Sequence, residues 1–205
     1  MRNDDIPIND PSPHLAPTAA RILAAAKRVL ERDGFRALTF ASIARESGEN
    51  QALIRYYFGN KAGLVGALVD SIMYLESVEL IETLSAAAPG EERWAALMEL
   101  HAAYAHHHDA YRMFYEVIPH ILRDEELHPH LRDLFEWYRR LDAWALEDVG
   151  ASEPDARIHP LALLTVAIAD GVALQVLADP DLDTGPAFAL WRRFVLDYVR
   201  GSQGA

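Results

Sequence analysis

The spacing of proline residues is the strongest constraint on the fold of this chain. Eleven prolines divide the sequence, and none occurs between Pro17 and Pro89. Proline breaks a helix in its interior but is tolerated in the first turn, so the stretches between prolines can form long helices. Within these stretches apolar residues recur every three or four positions, and no segment shows the alternation typical of β-strands. The sequence therefore predicts an all-α protein.

Capping residues delimit the first predicted helices. Thr18 and Thr39 precede helical patterns and can accept hydrogen bonds from a first turn, whereas Gly34 and Gly48 can end a helix. The predicted helices lie at about 18–33, 39–47, 51–58, 61–87, 91–108, 110–123, 129–149, 158–178 and 185–200.

Composition limits the class of protein. Apolar residues make up 51% of the 205 residues, which is enough for a buried core, and there is no cysteine. The chain is therefore expected to have no disulfide, no cysteine nucleophile and no thiolate metal site. Residues 1–16 are acidic and rich in proline, without the apolar run of a signal peptide. We expect them to form a disordered tail on a cytoplasmic protein.

The apolar segment 160–178 raises the question of a membrane span. It is long enough, but Asp170 lies near its middle, where a charge opposes insertion. A helix that is apolar on nearly all sides is instead predicted to lie in a core or between subunits. We therefore expect no membrane partner.

Charge is distributed unevenly along the chain. Residues 18–63 contain eight basic and four acidic side chains, a net charge of +4, whereas residues 64–205 contain ten basic and 24 acidic ones, a net charge of -14. A basic module on an acidic body is typical of a protein that approaches a polyanion through one part only.

The segment Thr39–Leu64 contains the pattern of a helix-turn-helix, whose second helix enters the major groove of DNA. At about 100° per residue, Gln51, Ala52, Arg55 and Tyr56 share one face of this helix, while Leu53, Ile54, Tyr57 and Phe58 share the opposite, inward arc. Amide and guanidinium groups can read base edges through paired hydrogen bonds, and phenol hydroxyls can donate to phosphates.

These residues carry a resemblance to a known family. Thr39, IARESG (Ile43–Gly48), YYFGNK (Tyr56–Lys61) and Leu64, together with the upstream ERDGFRALT (Glu31–Thr39), resemble the DNA-binding signature of TetR-family transcriptional regulators. Glu49 and Arg55 depart from it, since a small apolar residue and a tyrosine are common at these positions.

The resemblance implies a three-helix DNA-binding domain over residues 17–63 and a larger α-helical ligand-binding and dimerisation domain over residues 64–205. It also implies a cytoplasmic homodimer, more often a repressor, that binds a palindromic DNA operator and is released by a small molecule, without a cofactor. Lys61 corresponds to the family's phosphate-contacting lysine. The candidate DNA contacts are Thr39, Arg45, Asn50, Gln51, Ala52, Arg55, Tyr56, Tyr57 and Lys61.

The helices at about 158–178 and 185–200 are expected to form the dimer interface. Ala167, Gly171 and Ala173 would permit close helix approach there. An intrachain core helix is equally compatible with the sequence.

A stripe of aromatic and histidine side chains on the helix from residue 91 could line an effector site. Aromatic walls with a few polar groups favour an aromatic or amphipathic small molecule, while ordinary core packing explains each residue taken singly. The candidate ligand contacts are Trp94, Leu97, Met98, His101, Tyr104, His108, Phe114 and Trp137. The three consecutive histidines 106–108 point about 100° apart and cannot converge on one ion, so no metal site is predicted.

Two other classes of function remain as alternatives. An enzyme is disfavoured because the sequence has no G-x-S-x-G, H-E-x-x-H, P-loop or dinucleotide fingerprint. A helical small-molecule-binding or interaction protein that does not read DNA would leave the polar face around Gln51 and Arg55 unexplained.

Overall fold

The computed structural model describes residues 15–147, 149 and 156–201, and within them it contains helices and no strands. The all-α prediction is confirmed. The helices are α1 (Pro17–Asp33), α2 (Phe40–Ser47), α3 (Gln51–Phe58), α4 (Lys61–Ala86), α5 (Glu91–Tyr104), α6 (His108–Ile121), α7 (His128–Leu146), α8 (Ile158–Ala178) and α9 (Gly185–Gly201). Single 3-10 turns at Phe35–Ala37 and Glu125–Leu127 precede α2 and α7. Residues 1–14 of the predicted tail lie outside the described residues.

Two predicted helix ends are wrong. Thr18 does not cap α1, because Pro17 already occupies the first helical position, where its fixed φ suits a helix start. The helix predicted over 91–108 ends at Tyr104, where the backbone tightens into three-residue turns from His106 to Ala103 and from His107 to Tyr104. His108 therefore begins α6 and does not continue the stripe of α5.

The helices form two compact units. The N-terminal unit contains the described residues up to Leu75 together with Arg112–Leu134, and the C-terminal unit contains Glu76–Tyr111 together with the described residues from Phe135 onward.

In the N-terminal unit, α1 packs on α2 and α3 through a core of aliphatic side chains that includes Ile22, Val29, Ile43 and Ile54, all fully buried. Gly48 separates α2 from α3 in the left-handed conformation (φ 75°, ψ 4°), where a side chain would be strained. This turn fixes the two short helices as a helix-turn-helix.

In the C-terminal unit, α5 packs on α8 and α9. Trp94 and Phe188 are fully buried, and the Trp94 indole N–H donates to the Arg192 carbonyl oxygen at 3.4 Å. A second bond runs from the Trp191 indole N–H to the Thr165 hydroxyl at 3.0 Å and ties α9 to α8. Length and composition alone would allow α8 to cross a membrane, a test that the core helix of a soluble domain also passes.

Candidate DNA-binding surface and buried polar cluster

The outer face of α3 is held in position by a cap at its start. The Asn50 side chain accepts a hydrogen bond from the Leu53 N–H at 2.8 Å, which satisfies one of the free amide groups of the first turn. Ile54 and Phe58 anchor the opposite side of the helix in the core. The candidate contacts Asn50, Gln51, Ala52, Arg55 and Tyr56 are all exposed, Tyr56 to 79%, while Tyr57 is half-buried.

Arg55 and Lys61 both lie near aromatic rings. The Arg55 guanidinium lies 5.2 Å from the centre of the Phe40 ring, and the Lys61 ammonium lies 4.6 Å from the centre of the Phe35 ring. Cation–π contacts of exposed groups are weak, so they orient the two side chains while leaving them accessible to a polyanion.

Thr39 and Arg45 lie on α2. The Thr39 hydroxyl accepts a hydrogen bond from the Ser42 N–H at 3.1 Å, and the Ser42 hydroxyl in turn accepts one from the Thr39 N–H. The predicted cap is therefore confirmed as a reciprocal capping box. Thr39 and Arg45 are exposed, with Arg45 in the last turn of the helix.

Two acidic side chains of the helix-turn-helix, Glu46 and Glu49, are paired with arginines of α1. Glu49 pairs with Arg21 at 2.6 Å and does not pair with Arg45. Glu46 accepts hydrogen bonds from Arg28 at 2.8 Å and Arg32 at 3.1 Å, which lower the pKa of its carboxyl group. These pairs hold negative charge against α1, so that the cations of α2 and α3 dominate the candidate DNA surface.

The last turns of α6 contact the start of the helix-turn-helix. The Glu116 carboxylate accepts a hydrogen bond from the Phe35 N–H at 2.8 Å, and the His120 ring stacks on the Phe35 ring at 3.8 Å. Burial, together with the nearby cations Arg123 and Lys61, lowers the pKa of His120. A Cβ at Gly34, which has φ 76°, would lie 2.6 Å from the Glu116 carboxylate, so this close approach requires glycine.

The predicted effector stripe is present on α5 as a buried row. Trp94, Leu97, Met98, His101 and Tyr104 are all less than 9% exposed. The His101 ring lies parallel to the Phe188 ring of α9, with the ring centres 6.1 Å apart. These five residues therefore share one side of the helix, as their spacing predicted.

The other candidate ligand contacts lie on other helices than α5. Phe114 is buried in the N-terminal unit. Trp137 lies on α7, half-buried, with its ring edge-on to Tyr138 at 4.9 Å. The His108 side chain lies outside the described residues.

Sequence reasoning missed a polar cluster in the C-terminal unit. Asp142 on α7 is completely buried, and its carboxylate lies 3.6 Å from the His101 Nε2 atom, too far for a hydrogen bond. Asp170 on α8 is near enough to both groups that His101 lowers its pKa while Asp142 raises it. Burial is the largest influence on both carboxyl groups, raising the pKa of Asp142 and bringing that of Asp170 to about 6.

A signal for Asp142 does exist in the sequence. Tyr138, Asp142 and Leu146 follow one another at four-residue steps, so the carboxylate occupies a position in the inward stripe of α7. Within the described residues, no group of three or more histidine and acidic side chains is arranged to hold a metal ion.

Comparison with known proteins decides the family. Residues 22–68 match the model described as "Bacterial regulatory proteins, tetR family", and residues 88–201 match "Tetracyclin repressor-like, C-terminal domain". The chain belongs to the TetR family. It is a TetR-family transcriptional regulator with an N-terminal helix-turn-helix and a C-terminal helical domain, as the sequence predicted.

Individual relatives agree with this assignment. The HTH-type transcriptional regulator BetI of Rhizobium meliloti (strain 1021) is 36% identical over 76 residues, an alignment that spans 37% of this chain and 37% of that protein. A transcriptional regulator from Pseudomonas aeruginosa PAO1 has the same fold, with a TM-score of 0.73 and 20% identity over 86% of this chain and 89% of that chain. A regulator from Saccharomonospora viridis, solved in complex with choline, has a TM-score of 0.64 and 21% identity over 88% of this chain and 94% of that chain.

Proposed function

We propose that this TetR-family regulator is a repressor that binds a palindromic DNA operator as a homodimer and is released by a small molecule in its C-terminal domain. The observation that carries this proposal is the exposed, capped face of α3, on which the Gln51 amide and the Arg55 guanidinium stand beside the small Ala52. Residues 17–63 would form the DNA-binding domain, and residues 64–205 the effector and dimerisation domain. We accordingly propose that the protein is cytoplasmic, catalyses no reaction and needs no cofactor.

The surface divides into two kinds of DNA contact. Gln51 and Arg55 are proposed to read base edges, since both groups form paired hydrogen bonds with bases. Phosphate contacts, which position the protein without reading sequence, are assigned to the cationic, hydroxyl and amide side chains around α3. Those residues are Thr39, Arg45, Asn50, Tyr56, Tyr57 and Lys61.

The proposed dimer interface consists of the outer faces of α8 and α9. Leu163, Leu164 and Leu174 on α8 are each at least 50% exposed, and the same is true of Leu190 and Phe194 on α9. Large apolar side chains clustered on a surface mark a protein interface. Ala167 and Gly171 are exposed on the same helix, whereas Ala173 is buried, so only the first two remain candidates for close helix approach.

The proposed effector is an aromatic or amphipathic small molecule that contacts the buried row of α5. The choline complex of the Saccharomonospora viridis regulator supports small-molecule binding in a protein of this fold. Effector binding would shift the dimer toward a form whose two α3 helices no longer match major grooves about 34 Å apart.

Selection of random double-stranded DNA by the purified protein tests operator binding. Sequencing of the bound pool is expected to show a palindrome. Arg55→Ala is expected to cost about 1–3 kcal/mol and relax selection at particular base pairs, whereas Lys61→Ala should weaken binding to all sequences alike. Arg132→Ala, an exposed arginine beside Asp133, serves as the control and should bind as the wild type does. A pool without enrichment, from protein freed of bound small molecules, would contradict the proposal.

Sedimentation of a charged variant tests the dimer. Phe194→Glu is expected to give a monomer, because a carboxylate would be desolvated in the interface. Leu122→Glu, which changes a residue 60% exposed in the N-terminal unit, should remain dimeric. A dimeric Phe194→Glu protein would remove α9 from the interface.

A further inference from the structure

The side chain of Lys61 lies on an aromatic platform formed by Phe35 and His120. The Lys61 ammonium lies 4.6 Å from the centre of the Phe35 ring. The His120 ring stacks on the same phenylalanine, with ring centres 3.8 Å apart and planes inclined by 10°. The three residues belong to the N-terminal unit but to three elements, since Lys61 begins α4, Phe35 begins a 3-10 turn and His120 lies on α6.

Glu116 lies one turn before His120 on α6 and fixes the backbone of the platform. Its carboxylate accepts a hydrogen bond from the Phe35 N–H at 2.8 Å. That N–H stands at the start of the 3-10 turn, where a backbone amide has no acceptor within its own turn. Helix α6 therefore holds Phe35 twice, through the backbone and through the ring.

The start of α4 fixes the backbone of Lys61 and leaves its side chain exposed. The Asn60 side-chain oxygen accepts a hydrogen bond from the Gly63 N–H at 2.9 Å, which caps the first turn. Among the described residues Lys61 forms no ion pair. An exposed lysine loses much rotamer freedom when it binds an anion. A lysine that already rests on a ring binds at a lower cost in entropy.

The platform carries no charge at neutral pH. Burial is the largest influence that lowers the pKa of His120, and nearby cations lower it further. These cations are Arg123, Lys61 and Arg36, whereas Glu116 acts in the opposite direction. A neutral imidazole can therefore remain close to the Lys61 ammonium without repelling it.

We propose that Glu116 and His120 of α6 are positioning residues for DNA binding. They hold the Phe35 ring where it directs the Lys61 ammonium toward a DNA phosphate. This inference rests on the proposed function through the assignment of Lys61 as a phosphate contact. It extends the residues that determine operator affinity from the helix-turn-helix to α6, whose side chains need not touch DNA themselves.

Nuclear magnetic resonance of the free protein tests the platform without DNA. The chain has two lysines, Lys27 and Lys61, so full-length protein made with carbon-13-labelled lysine gives two sets of ε-methylene signals. The ring current of Phe35 should shift the Lys61 signals upfield of those of Lys27. His120→Ala should move them back, whereas His120→Phe, which keeps a stacked ring, should leave them upfield. Identical Lys61 signals in the wild type and His120→Ala would overturn the proposal.

A double-mutant cycle tests whether His120 acts on DNA binding through Lys61. On a labelled palindromic operator at low salt, His120→Ala is expected to weaken binding about threefold, because the ring contact of the lysine is weakened. In the Lys61→Ala background the same change should have no effect. His128→Ala, which alters an exposed histidine of the same unit, is the control and should bind as the wild type does. A threefold loss in both backgrounds would show that His120 acts independently of Lys61 and would overturn the proposal.

A charge-matched pair of variants tests Glu116. Glu116→Gln and Glu116→Ala both remove a negative charge, but only glutamine keeps an acceptor for the Phe35 N–H. We expect Glu116→Ala to bind the operator about threefold more weakly than Glu116→Gln. Equal binding of the two variants would overturn the role of Glu116. Should His120→Ala fail to fold, this pair, repeated in the Lys61→Ala background, decides the question in its place.

Lys61→Ala on its own separates this inference from the proposed function. If it weakens operator binding while His120→Ala does not, the regulatory function stands and the positioning role is lost. If it binds as the wild type does, the phosphate assignment of Lys61 is wrong, and the positioning role falls with it. A wild type that enriches no DNA would contradict the proposed function and the positioning role together, whatever the lysine signals show.

Discussion

The two compact units treat acidic side chains in opposite ways. In the N-terminal unit, the half-buried Glu49 pairs with the exposed Arg21 at 2.6 Å, and Glu46 pairs in the same manner with arginines of α1. In the C-terminal unit, Asp142 is completely buried and faces the imidazole of His101, at 3.6 Å.

Surface ion pairs and a buried carboxylate differ in what they cost the folded protein in stability. An exposed ion pair contributes at most about 1 kcal/mol, so the N-terminal unit can arrange charge for DNA binding at little cost in stability. A buried carboxylate opposes folding by several kcal/mol unless a partner compensates it. Burial of Asp142 therefore costs the C-terminal unit stability that the surface pairs of the N-terminal unit do not cost.

The largest expected effect is the dependence of DNA binding on salt concentration. DNA binding should fall by about two or more orders of magnitude between about 50 and about 200 mM salt, because phosphate contacts displace bound counterions. The contribution of Asp142 to stability should change little over the same range, since mobile ions screen buried groups weakly. Fluorescence anisotropy of a labelled operator and urea titrations of the wild type and Asp142→Asn would measure the two responses. A flat DNA response would argue against a phosphate surface, and a strongly salt-dependent difference in stability would show that Asp142 is solvated.

The pH dependence of folding stability tests the environment of Asp170 in the C-terminal unit. Its pKa is raised from 3.8 to about 6, so the folded protein holds this proton more tightly than the unfolded chain. The stability that this carboxyl group contributes is fully present below pH 3.8 and is lost as the pH rises through about 6. The loss corresponds to at most about 3 kcal/mol.

Asp170→Asn isolates this contribution, because asparagine stays neutral at every pH. Relative to the variant, the wild type should lose free energy of unfolding between about pH 4 and about pH 7 in urea titrations, and not above that range. His101 and Asp142 face Asp170 and are present in both proteins, so their effects largely cancel in the difference. A difference that stays constant with pH would show that Asp170 is solvated.

Local signals explain why so much of the fold could be predicted. Thr39 and Gly48 act within one turn of their own positions, so the sequence predicts the helix-turn-helix without knowledge of the rest of the chain. The outer face of α3 follows from helical periodicity alone. The end of α5 at Tyr104 was missed because His106 and His107 carry no strong stop signal, and the turn depends on backbone hydrogen bonds.

The contacts of distant residues could not be predicted in the same way. Asp142 and His101 lie on different helices, and no spacing in the sequence indicates that they meet. Likewise no spacing in the sequence places Glu116 and His120 beside Phe35, yet the Glu116 carboxylate accepts the Phe35 N–H and His120 stacks on that ring. Such pairs depend on the packing of helices, which sequence periodicity does not specify.

The smallest expected effect concerns Glu49, which directly precedes the cap of α3. Glu49→Gln would remove a negative charge near the proposed phosphate contacts and free Arg21 from its pair. We expect affinity for all DNA sequences to rise about threefold at low salt, with base preference unchanged, because exposed charges interact by less than about 1 kcal/mol. Asp33→Asn, which removes a carboxylate beside Arg32 at the far end of α1 and leaves the pair of Arg32 with Glu46, is the matched control and should have a smaller effect. Weaker DNA binding in Glu49→Gln would mean that the pair with Arg21 positions the start of α3, and its importance would then be geometric and not electrostatic.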